Sequence, residues 1–395
     1  MSQREVVVLS GVRTAIGDFD GSLKDIPPTD LAAQVTQEAL QRSGLQAADI
    51  GHVVFGNVTH SDRRDMYMSR VAALKAGIPE SVPALTVNRL CGSGLQAIIS
   101  AAQMIVLGDA QAAVAGGAES MSRVPYWLPS ARFGARMGDG VMVDAMTAAL
   151  TCPFGDTHMG ITAENIAEKW GISREEQDEL AALSHNRAEN AIKNHYFESQ
   201  ILPIEQTRRK KVTVFAEDEH VRMGATPADM AKLRPAFKKD GSVTAANASG
   251  LNDAAAALVL MDAEAAAARG LQPMAKIKAY SFVGVEPKYM GIGPVPAVRS
   301  LLEKTGLQVA DIDTWEVNEA FAAQALAVAR DLGLPADKVN PNGSGISLGH
   351  PIGATGAIIS VKALYELQRI GGRYAVVTMC IGGGQGIAAL FERCE

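Results

Sequence analysis

An internal repeat constrains the fold of this 395-residue chain more than any other feature of its sequence. The stretch G-L-Q-A-A-D-I at 44–50 returns 262 residues later as G-L-Q-V-A-D-I at 306–312, with six of seven residues identical. Each copy follows an amphipathic helical pattern and leads to a short apolar strand, at 52–55 in the first copy and at 314–317 in the second. The repeated order of helix, turn and strand predicts a duplicated α/β domain.

Between the two copies the pattern changes, from residue 121 to about residue 245. Ser173 and Glu176 have the spacing of a capping box, which predicts a helix that runs to about Asn194. The basic run at 208–211 is interpreted as a solvated turn, with phosphate contact as the less favoured alternative. The segment is therefore predicted to be an insert that covers or binds a ligand.

Two cysteines, Cys91 and Cys380, follow apolar runs predicted as strands at 84–90 and 374–379. Each precedes a Gly-rich turn and a possible helix start, and a helix is predicted at 95–107. A thiol at a helix N-terminus faces unpaired N–H groups, which favour thiolate and stabilise a developing oxyanion. The offset of 262 predicts that the second copy has gained 27 residues before Cys380. Two cysteines in such settings indicate thioester chemistry, although either alone is more typical of a small buried side chain.

Two further residues in loops are candidates for chemistry. His350 lies between Gly349 and Pro351 in a loop that is expected to lead into a helix near Gly353, and a histidine held this way is more often a base than a core residue. Asn318 ends the strand at 314–317, where it either caps the next helix or fixes a water or an oxyanion. The other cysteines, at 152 and 394, lack such a context and are interpreted as bystanders.

Composition excludes several classes of protein. The net charge is -6, so no basic surplus favours nucleic acid binding. Four scattered cysteines fit neither a disulfide framework nor a metal site, which predicts a reducing compartment, the cytoplasm. No apolar run approaches the roughly 20 residues of a membrane span, so neither membrane insertion nor export is expected.

Four motifs, V-N-R-L-C-G-S-G, N-E-A-F-A, G-H-P-I-G-A-T-G and C-I-G-G-G-Q-G, together resemble the thiolase family, the acetyl-CoA C-acetyltransferases or β-ketothiolases. The likeness extends over essentially the whole chain. It implies an α/β fold with two duplicated thiolase-like domains in a five-layer α-β-α-β-α arrangement and an inserted loop domain. The implied N-terminal half is 1–120 plus 246–272, the implied C-terminal half is 273–395, and the implied loop domain, which binds CoA, is 121–245.

The resemblance also implies a role for each matched residue. Cys91 would be the nucleophile, His350 the base that takes its proton, and Cys380 the base that removes the α-proton of the acceptor. Asn318 would hold a water in one oxyanion hole, which His350 shares, and the backbone N–H groups of Cys91 and Gly382 would form the other. The residues implied to contact substrate or CoA are Leu150, His158, Met159, Arg222, Phe237, Ala245, Ser249, Met290, Ala320 and Phe321. No metal and no cofactor are implied, because CoA is substrate and product.

The implied reaction is a Claisen condensation of two short acyl-CoA molecules through an acyl-cysteine, together with the reverse thiolysis. The implied ligands are acetyl-CoA, acetoacetyl-CoA and short 3-oxoacyl-CoA, and the implied assembly is a homotetramer, a dimer of dimers, with contacts within 122–142. A degradative 3-oxoacyl-CoA thiolase of broader chain length and a non-catalytic acyl-CoA binding protein remain alternatives. A decarboxylating ketosynthase and a cysteine hydrolase are disfavoured because neither explains Cys380. The apolar side chains of Met159, Phe237 and Met290 either wall an acyl pocket or pack in the core.

Overall fold

The computed structural model of the protein describes residues 4–208 and 211–394. Its strands are β1 (Val6–Thr14), β2 (Gly17–Asp18), β3 (His52–Gly56), β4 (Ala84–Val87), β5 (Ala112–Ser120), β6 (Tyr126–Trp127), β7 (Val143–Asp144), β8 (Thr151–Cys152), β9 (Thr157–His158), β10 (Ile201–Leu202), β11 (Ile204–Arg208), β12 (Lys211–Phe215), β13 (Asn252–Asp262), β14 (Ala275–Gly284), β15 (Thr314–Val317), β16 (Tyr374–Ile381) and β17 (Gln385–Arg393). Its α-helices are α1 (Pro28–Ser43), α2 (Met68–Lys75), α3 (Ser93–Leu107), α4 (Ala145–Ala149), α5 (Met159–Trp170), α6 (Arg174–Lys193), α7 (Pro227–Met230), α8 (Ala263–Ala268), α9 (Pro294–Thr305), α10 (Ala322–Leu332), α11 (Gly345–Leu348) and α12 (Thr355–Ile370).

The long strands form two related mixed sheets that meet edge to edge. Their order is β4-β3-β5-β13-β1 in the N-terminal half and β14-β17-β16-β15 in the C-terminal half. The halves join where Val7 and Val8 of β1 pair with Lys276 and Ala275 of β14. In both halves a parallel pair, β3 with β5 and β15 with β16, is followed by antiparallel neighbours.

The two sheets bury both of their faces. Every residue of β5 and β13 is buried, which is expected of strands covered on both sides. One core lies between α1, α2 and the N-terminal sheet, a second surrounds α3 and α12 between the sheets, and a third joins α9 and α10 to the C-terminal sheet. The predicted five-layer α-β-α-β-α fold is therefore confirmed. The stretch Leu90–Leu107 is long and apolar enough for a membrane span by length and composition, but 56% of it is buried in the middle layer.

The repeat found in the sequence is also a repeat of local structure. Helices α1 and α9 each end at a left-handed glycine, Gly44 at φ 74° and Gly306 at φ 71°. Each glycine is followed by a single 3₁₀ turn closed by a capping box, with Gln46 and Asp49 in the first copy. The second copy uses Gln308 and its own aspartate three residues later in the same way. The predicted duplication is confirmed down to the hydrogen bonds of this turn.

The same offset of 262 residues continues further along the chain than the sequence analysis predicted. Helix α12 begins 262 residues after α3, and β16 begins 262 residues after β5. The counterpart of Cys91 is therefore Gly353 at the start of α12, while the counterpart of Cys380 is Ala118 inside β5. The predicted gain of 27 residues and the predicted equivalence of the two cysteines are wrong. The error arose because apolar strands followed by Gly-rich turns look alike in sequence, whichever element comes next.

The chain between β5 and β13 leaves the sheet and forms short hairpins and helices α4 to α7. The capping box at Ser173 is confirmed, since its side chain accepts from the backbone of Glu176 and the Glu176 carboxylate accepts in return. The basic run spans the turn between β11 and β12, and residues 209 and 210 lie outside the described residues. A fully buried ion pair between Arg13 of β1 and Asp218, 2.7 Å long, ties this segment to the sheet.

Candidate active site

Cys91 is held in a tight turn rather than at the end of a strand. The predicted strand at 84–90 ends at Val87, because the side chain of Asn88 accepts from the backbone N–H of Leu90 at 2.9 Å and bends the chain. Leu90 takes a φ of 45°, a conformation that is strained for a residue other than glycine. The hydroxyl of Ser93 donates to the Leu90 carbonyl at 2.6 Å and so locks the turn. Cys91 therefore sits in a constrained position at the entry to α3.

His350 lies on the loop between α11 and α12, and α12 begins at Thr355, two residues beyond the predicted start. Its Nδ1 is 2.6 Å from the Thr355 hydroxyl, and that hydroxyl donates its only hydrogen to the carbonyl of Pro351. We therefore assign the ring proton to Nδ1, which leaves the lone pair of Nε2 free. Burial lowers the pKa of His350 to about 4, so the ring is neutral at pH 7. A neutral ring with a free Nε2 is suited to act as a base.

Contact between the backbones of α3 and α12 brings these two residues together. A methyl group on Gly356 of α12 would lie 2.2 Å from the backbone nitrogen of Leu95 in α3. A methyl group on Gly94 would lie 2.6 Å from the nitrogen of Ala357. Only glycine allows such an approach. The N-terminal ends of the two helices, with their catalytic candidates, are therefore brought to the same place.

Cys380 is fully buried and is the last but one residue of β16. The strand turns through 382–384 directly into β17, with left-handed glycines at Gly383 and Gly384. The predicted helix start after Cys380 is therefore wrong, and a β-hairpin takes its place. Burial raises the pKa of the Cys380 thiol, and the nearby Cys91 raises it further.

The protonation of Cys91 also differs from the prediction. Burial raises the pKa of its thiol to about 11, against which the backbone N–H groups of Gly382 and of Cys91 itself act to lower it. The carboxylate of Glu119 raises the pKa further. Apolar side chains pack round the sulfur, among them Met121 and Ile352. The position at a helix N-terminus therefore does not make Cys91 a thiolate in the free protein, as predicted, and a base is needed to remove its proton.

Asn318 follows β15 directly and is fully buried. Neither its side-chain oxygen nor its side-chain nitrogen has a hydrogen-bond partner among the described residues. Helix α10 begins at Ala322 with Phe321 as its N-cap, so the interpretation of Asn318 as an N-cap is wrong. Asn340 fixes the strand end, because its side chain bonds both the N–H and the carbonyl of Val317. The amide of Asn318 is thus held in place and left free to bind a water or a ligand atom.

A single cavity of about 460 Å³ brings most of the predicted residues together. Cys91, His350, Cys380 and Gly382 line it, and Asn318 lies two residues before the wall residue Ala320. All the residues predicted to contact substrate or CoA are on its wall: Leu150, His158, Met159, Arg222, Phe237, Ala245, Ser249, Met290, Ala320 and Phe321. The sequence therefore located the whole wall except for the residues named below.

Aromatic and thioether side chains give the cavity its apolar character. The rings of His158 and Phe237 stack with their centroids 4.6 Å apart, and Phe237 meets Phe321 edge to face. Burial lowers the pKa of His158, which favours the neutral ring. Met159 and Met290 are buried and also line the cavity, so they do not serve core packing alone.

Sequence reasoning missed several wall residues. Leu90, Leu251 and Ile352 are immediate neighbours of residues in the recognised motifs, and His220 lies two positions before Arg222. The motifs could have pointed to these four. The remaining missed residues are small or contribute backbone, and they are Met121, Ala149, Ala236, Ala248 and Gly250.

Comparison with known proteins decides the family. The profile described as "Thiolase, N-terminal domain" matches residues 6–264, and the profile described as "Thiolase, C-terminal domain" matches residues 271–393. The chain belongs to the thiolase family. It is 63% identical over 391 residues to "Beta-ketothiolase BktB" of Cupriavidus necator, with 99% of each chain covered. This thiolase is accordingly an acyltransferase.

Solved thiolase structures agree with this one over their whole length. The acetyl-CoA acetyltransferase of Bacillus anthracis superimposes with a TM-score of 0.97 at 48% identity, with 99% of each chain covered. Human mitochondrial 3-ketoacyl-CoA thiolase in complex with CoA superimposes with a TM-score of 0.96 at 42% identity, covering 100% of this chain and 99% of the human one. The thiolase fold therefore holds two thiols and a neutral imidazole round one apolar cavity, an arrangement suited to passing an acyl group from one thiol to another.

Proposed function

We propose that this thiolase is a short-chain β-ketothiolase that joins two short acyl-CoA molecules and also runs the reverse thiolysis. The observation that carries the proposal is the meeting of Cys91, His350 and Cys380 on the wall of one cavity. The identity of 63% to a protein named beta-ketothiolase supports the substrate class. Acetyl-CoA, acetoacetyl-CoA and short 3-oxoacyl-CoA are the proposed ligands.

In the proposed first step, Nε2 of His350 takes the thiol proton of Cys91. The Cys91 sulfur attacks the thioester carbonyl, the new carbon–sulfur bond forms, and the bond to the CoA sulfur breaks. The proton then passes from His350 to the CoA sulfur, which leaves as a thiol. The backbone N–H groups of Cys91 and Gly382 are the proposed donors to the oxyanion. Support comes from the free lone pair on His350 and from the contact of the Gly382 N–H with the Cys91 sulfur.

In the proposed second step, Cys380 removes the α-proton of the acceptor acyl-CoA. Cys380 must first give up its own proton, and His350, neutral again after the first step, is the acceptor in the same cavity. The enolate attacks the acyl group, a carbon–carbon bond forms, and the Cys91 sulfur leaves with the proton from His350. Asn318 and a water would stabilise the enolate oxygen, because the buried Asn318 amide has no partner among the described residues.

The proposed CoA site is the outer part of the cavity, formed by the ten wall residues predicted from the sequence. Arg222 is the proposed partner of the nucleotide, since the chain as a whole carries a net charge of -6 and attracts phosphate only locally. Cysteine, histidine and asparagine side chains supply every group that the two steps need. We therefore propose that the reaction requires no metal and no cofactor beyond CoA itself.

The test of the nucleophile is Cys91→Ala, examined by intact-protein mass spectrometry after mixing with acetyl-CoA. The parent is expected to gain one acetyl group and the variant none, because the variant lacks the sulfur that forms the thioester. Cys152→Ala is the matched control, since Cys152 is buried but does not line the cavity. An equal adduct on Cys91→Ala would assign the nucleophile to another residue. A parent without any adduct would instead favour the non-catalytic acyl-CoA binding protein.

Chain length separates the short-chain enzyme from a degradative thiolase. Steady-state thiolysis of acetoacetyl-CoA, 3-oxovaleryl-CoA and 3-oxohexanoyl-CoA is the measurement. A buried methylene contributes about 1 to 3 kcal/mol in an apolar pocket, so a graded decline with length is expected. Equal or rising activity with the longer substrates would favour the degradative alternative.

We also propose a homotetramer, a dimer of dimers, in the cytoplasm. The tetramer is supported by large apolar side chains that are exposed within 126–142, among them Phe133 at 88% and Met137 at 97%. The cytoplasmic location is supported by the four cysteines, all of which are free.

A further inference from the structure

Glu119 is a buried carboxylate that the proposed mechanism does not use. It ends close to the C-terminus of β5 and is fully buried. Its hydrogen-bond donors are the side chain of Asn57 at 3.1 Å, the N–H of Val58 at 3.0 Å, the N–H and hydroxyl of Thr59 at 3.1 and 2.6 Å, and the N–H of Gly353 at 2.8 Å. In the described part of the chain no cationic side chain donates to it. Burying a carboxylate without a cation is unfavourable, and burial raises the pKa of Glu119 to about 7.

The five donors come from both halves of the molecule. One oxygen, Oε1, accepts only from Asn57 and Thr59, in the loop after β3. The other, Oε2, accepts from Val58 of that loop and from Gly353, three residues after His350. A single carboxylate therefore joins the N-terminal half to the loop that carries the candidate base.

Close backbone contacts surround this junction. A methyl group on Gly353 would lie 2.5 Å from Oε2 of Glu119 and 3.0 Å from the Cα of Asn57. A methyl group on Gly56 would lie 2.6 Å from the carbonyl carbon of Ser93 and 2.8 Å from the oxygen of Gly353. The end of β3, the start of α3 after Cys91 and the His350 loop thus meet at one point, and Glu119 is the polar side chain at that point.

The charge of Glu119 also reaches the nucleophile. Its carboxylate raises the pKa of the Cys91 thiol, since a negative charge disfavours a second one nearby. In the duplicated fold, the offset of 262 pairs Glu119 with Ile381, the neighbour of Cys380. The ends of β5 and β16 therefore both deliver side chains to the reacting centre, Glu119 from one half and Cys380 from the other.

We propose that Glu119 is a positioning residue for acyl transfer, which holds the His350 loop against the half that carries Cys91. The inference rests on the proposed function, in which His350 takes the proton of Cys91. Losing the carboxylate would let the loop move away from the nucleophile while leaving the CoA-binding wall in place.

The test uses Glu119→Gln and Glu119→Asp in the full-length enzyme. The amide of glutamine has the shape of the carboxylate but presents a donor where the protein presents donors, and aspartate keeps the charge but is one methylene shorter. Both variants are expected to transfer acetyl from acetyl-CoA to Cys91 about 10- to 100-fold more slowly, because small misplacements of reacting groups have effects of this order. The KM for acetyl-CoA is expected to stay within about 2-fold of the parent value.

A second readout separates positioning from general destabilisation. The rate of Cys91 alkylation by iodoacetamide is measured against pH, and its midpoint reports the ionisation of the thiol. Glu119→Gln removes a negative charge beside the thiol, so its midpoint is expected at lower pH than in the parent. Glu119→Asp keeps the charge, so its midpoint is expected to stay near that of the parent although its acetyl transfer is slow.

Glu164→Gln is the matched control, because Glu164 is also buried and accepts several bonds, from Ser242 and Val243, at a distance in sequence from both catalytic loops. It is expected to keep the parental transfer rate and alkylation midpoint. If Glu119→Gln does not fold, Thr59→Val removes one donor to Glu119 and is expected to slow transfer about several-fold. Parental transfer rates per folded molecule in the Glu119 variants, with unmoved midpoints, would overturn the inference. A parent that forms no acetyl-Cys91 would instead refute the proposed function.

Discussion

At the scale of single residues, burial decides where the protons of the active site lie. The pKa of Cys91 is raised to about 11 and that of His350 is lowered to about 4. Over the whole range between these values the free enzyme holds a neutral thiol and a neutral imidazole. The nucleophile is therefore generated only when acyl-CoA is bound and the proton moves, which protects Cys91 from unwanted alkylation and oxidation.

His350→Asn tests this arrangement through pH. The parent rate of acetyl transfer is expected to vary little between about pH 6 and pH 9, since neither group changes its charge there. The variant lacks the base, so its rate depends on the fraction of thiolate. Because the pKa of Cys91 lies above this range, that fraction grows about tenfold per pH unit, and the rate is expected to rise accordingly. Rapid-quench measurement of acetyl-Cys91 checks this, and a flat profile in the variant would remove His350 from the role of base.

Cys380→Ala is expected to separate the two half reactions. Acetyl transfer to Cys91 is expected to persist within about a factor of ten, while condensation is expected to fall by about 10²-fold or more, because only the second step needs the base at 380. Intact mass measures the first step and acetoacetyl-CoA formation the second. Cys394→Ala, in which a cysteine outside the cavity is changed, is the control. Condensation at the parental rate would assign the second base to another residue.

The sequence predicted which residue types meet at the site, but it did not predict their surroundings. The free amide of Asn318 and the proton on Nδ1 of His350 follow from burial and from neighbours that only the fold provides. Glu119 lies within an unremarkable strand, and its donors are 60 and 234 residues away in sequence. No local pattern could therefore have identified it.

At the scale of elements, the long helices and strands agreed with the sequence pattern, and the errors fell at turns. The strand predicted at 84–90 ends at Val87 because the Asn88 side chain competes with the ladder. The helix predicted after Cys380 is a hairpin because Gly383 and Gly384 adopt left-handed backbone angles. Hydrophobic periodicity carries no information about either effect.

The contact of α3 with α12 gives a test at this scale. Gly356→Ala places a methyl group 2.2 Å from the backbone nitrogen of Leu95, so the helices must move apart. Overpacking of this kind lowers the free energy of unfolding by about 1 to 3 kcal/mol. Acetyl transfer is expected to fall as well, because Cys91 and His350 are carried at the starts of these two helices. Urea denaturation and the rate of acetyl-Cys91 formation are the measurements.

Gly284→Ala is the control for the helix contact, since the nearest atom to its added methyl group lies 4.0 Å away. It is expected to change both quantities little. If Gly356→Ala keeps the parental transfer rate while losing stability, the helix contact supports the fold and does not align the site.

At the scale of the whole molecule, duplication explains the plan of the site and also its asymmetry. The starts of α3 and α12 are counterparts, and one carries Cys91 while the loop before the other carries His350. The ends of β5 and β16 are counterparts too, and they carry Glu119 and Cys380. The repeat at 44–50 predicted two halves correctly. It could not register the catalytic motifs, because each half has kept only some of the residues that the reaction needs.

The exposed apolar segment at 126–142 gives the last prediction. It leaves the body of the molecule between β5 and α4, and Phe133 and Met137 are almost fully exposed. Exposed side chains of this size in one segment are typical of an interface. The double variant Phe133→Ser, Met137→Ser is expected to reduce the mass measured by light scattering from that of a tetramer to that of a dimer. Acetyl transfer to Cys91 is expected to persist, since neither side chain lines the cavity. Leu183→Ser, at an exposed leucine of α6 outside this segment, is the control and should leave the mass unchanged. An unchanged mass in the double variant would show that assembly does not depend on this segment, and the apolar surface at 126–142 would then need another partner.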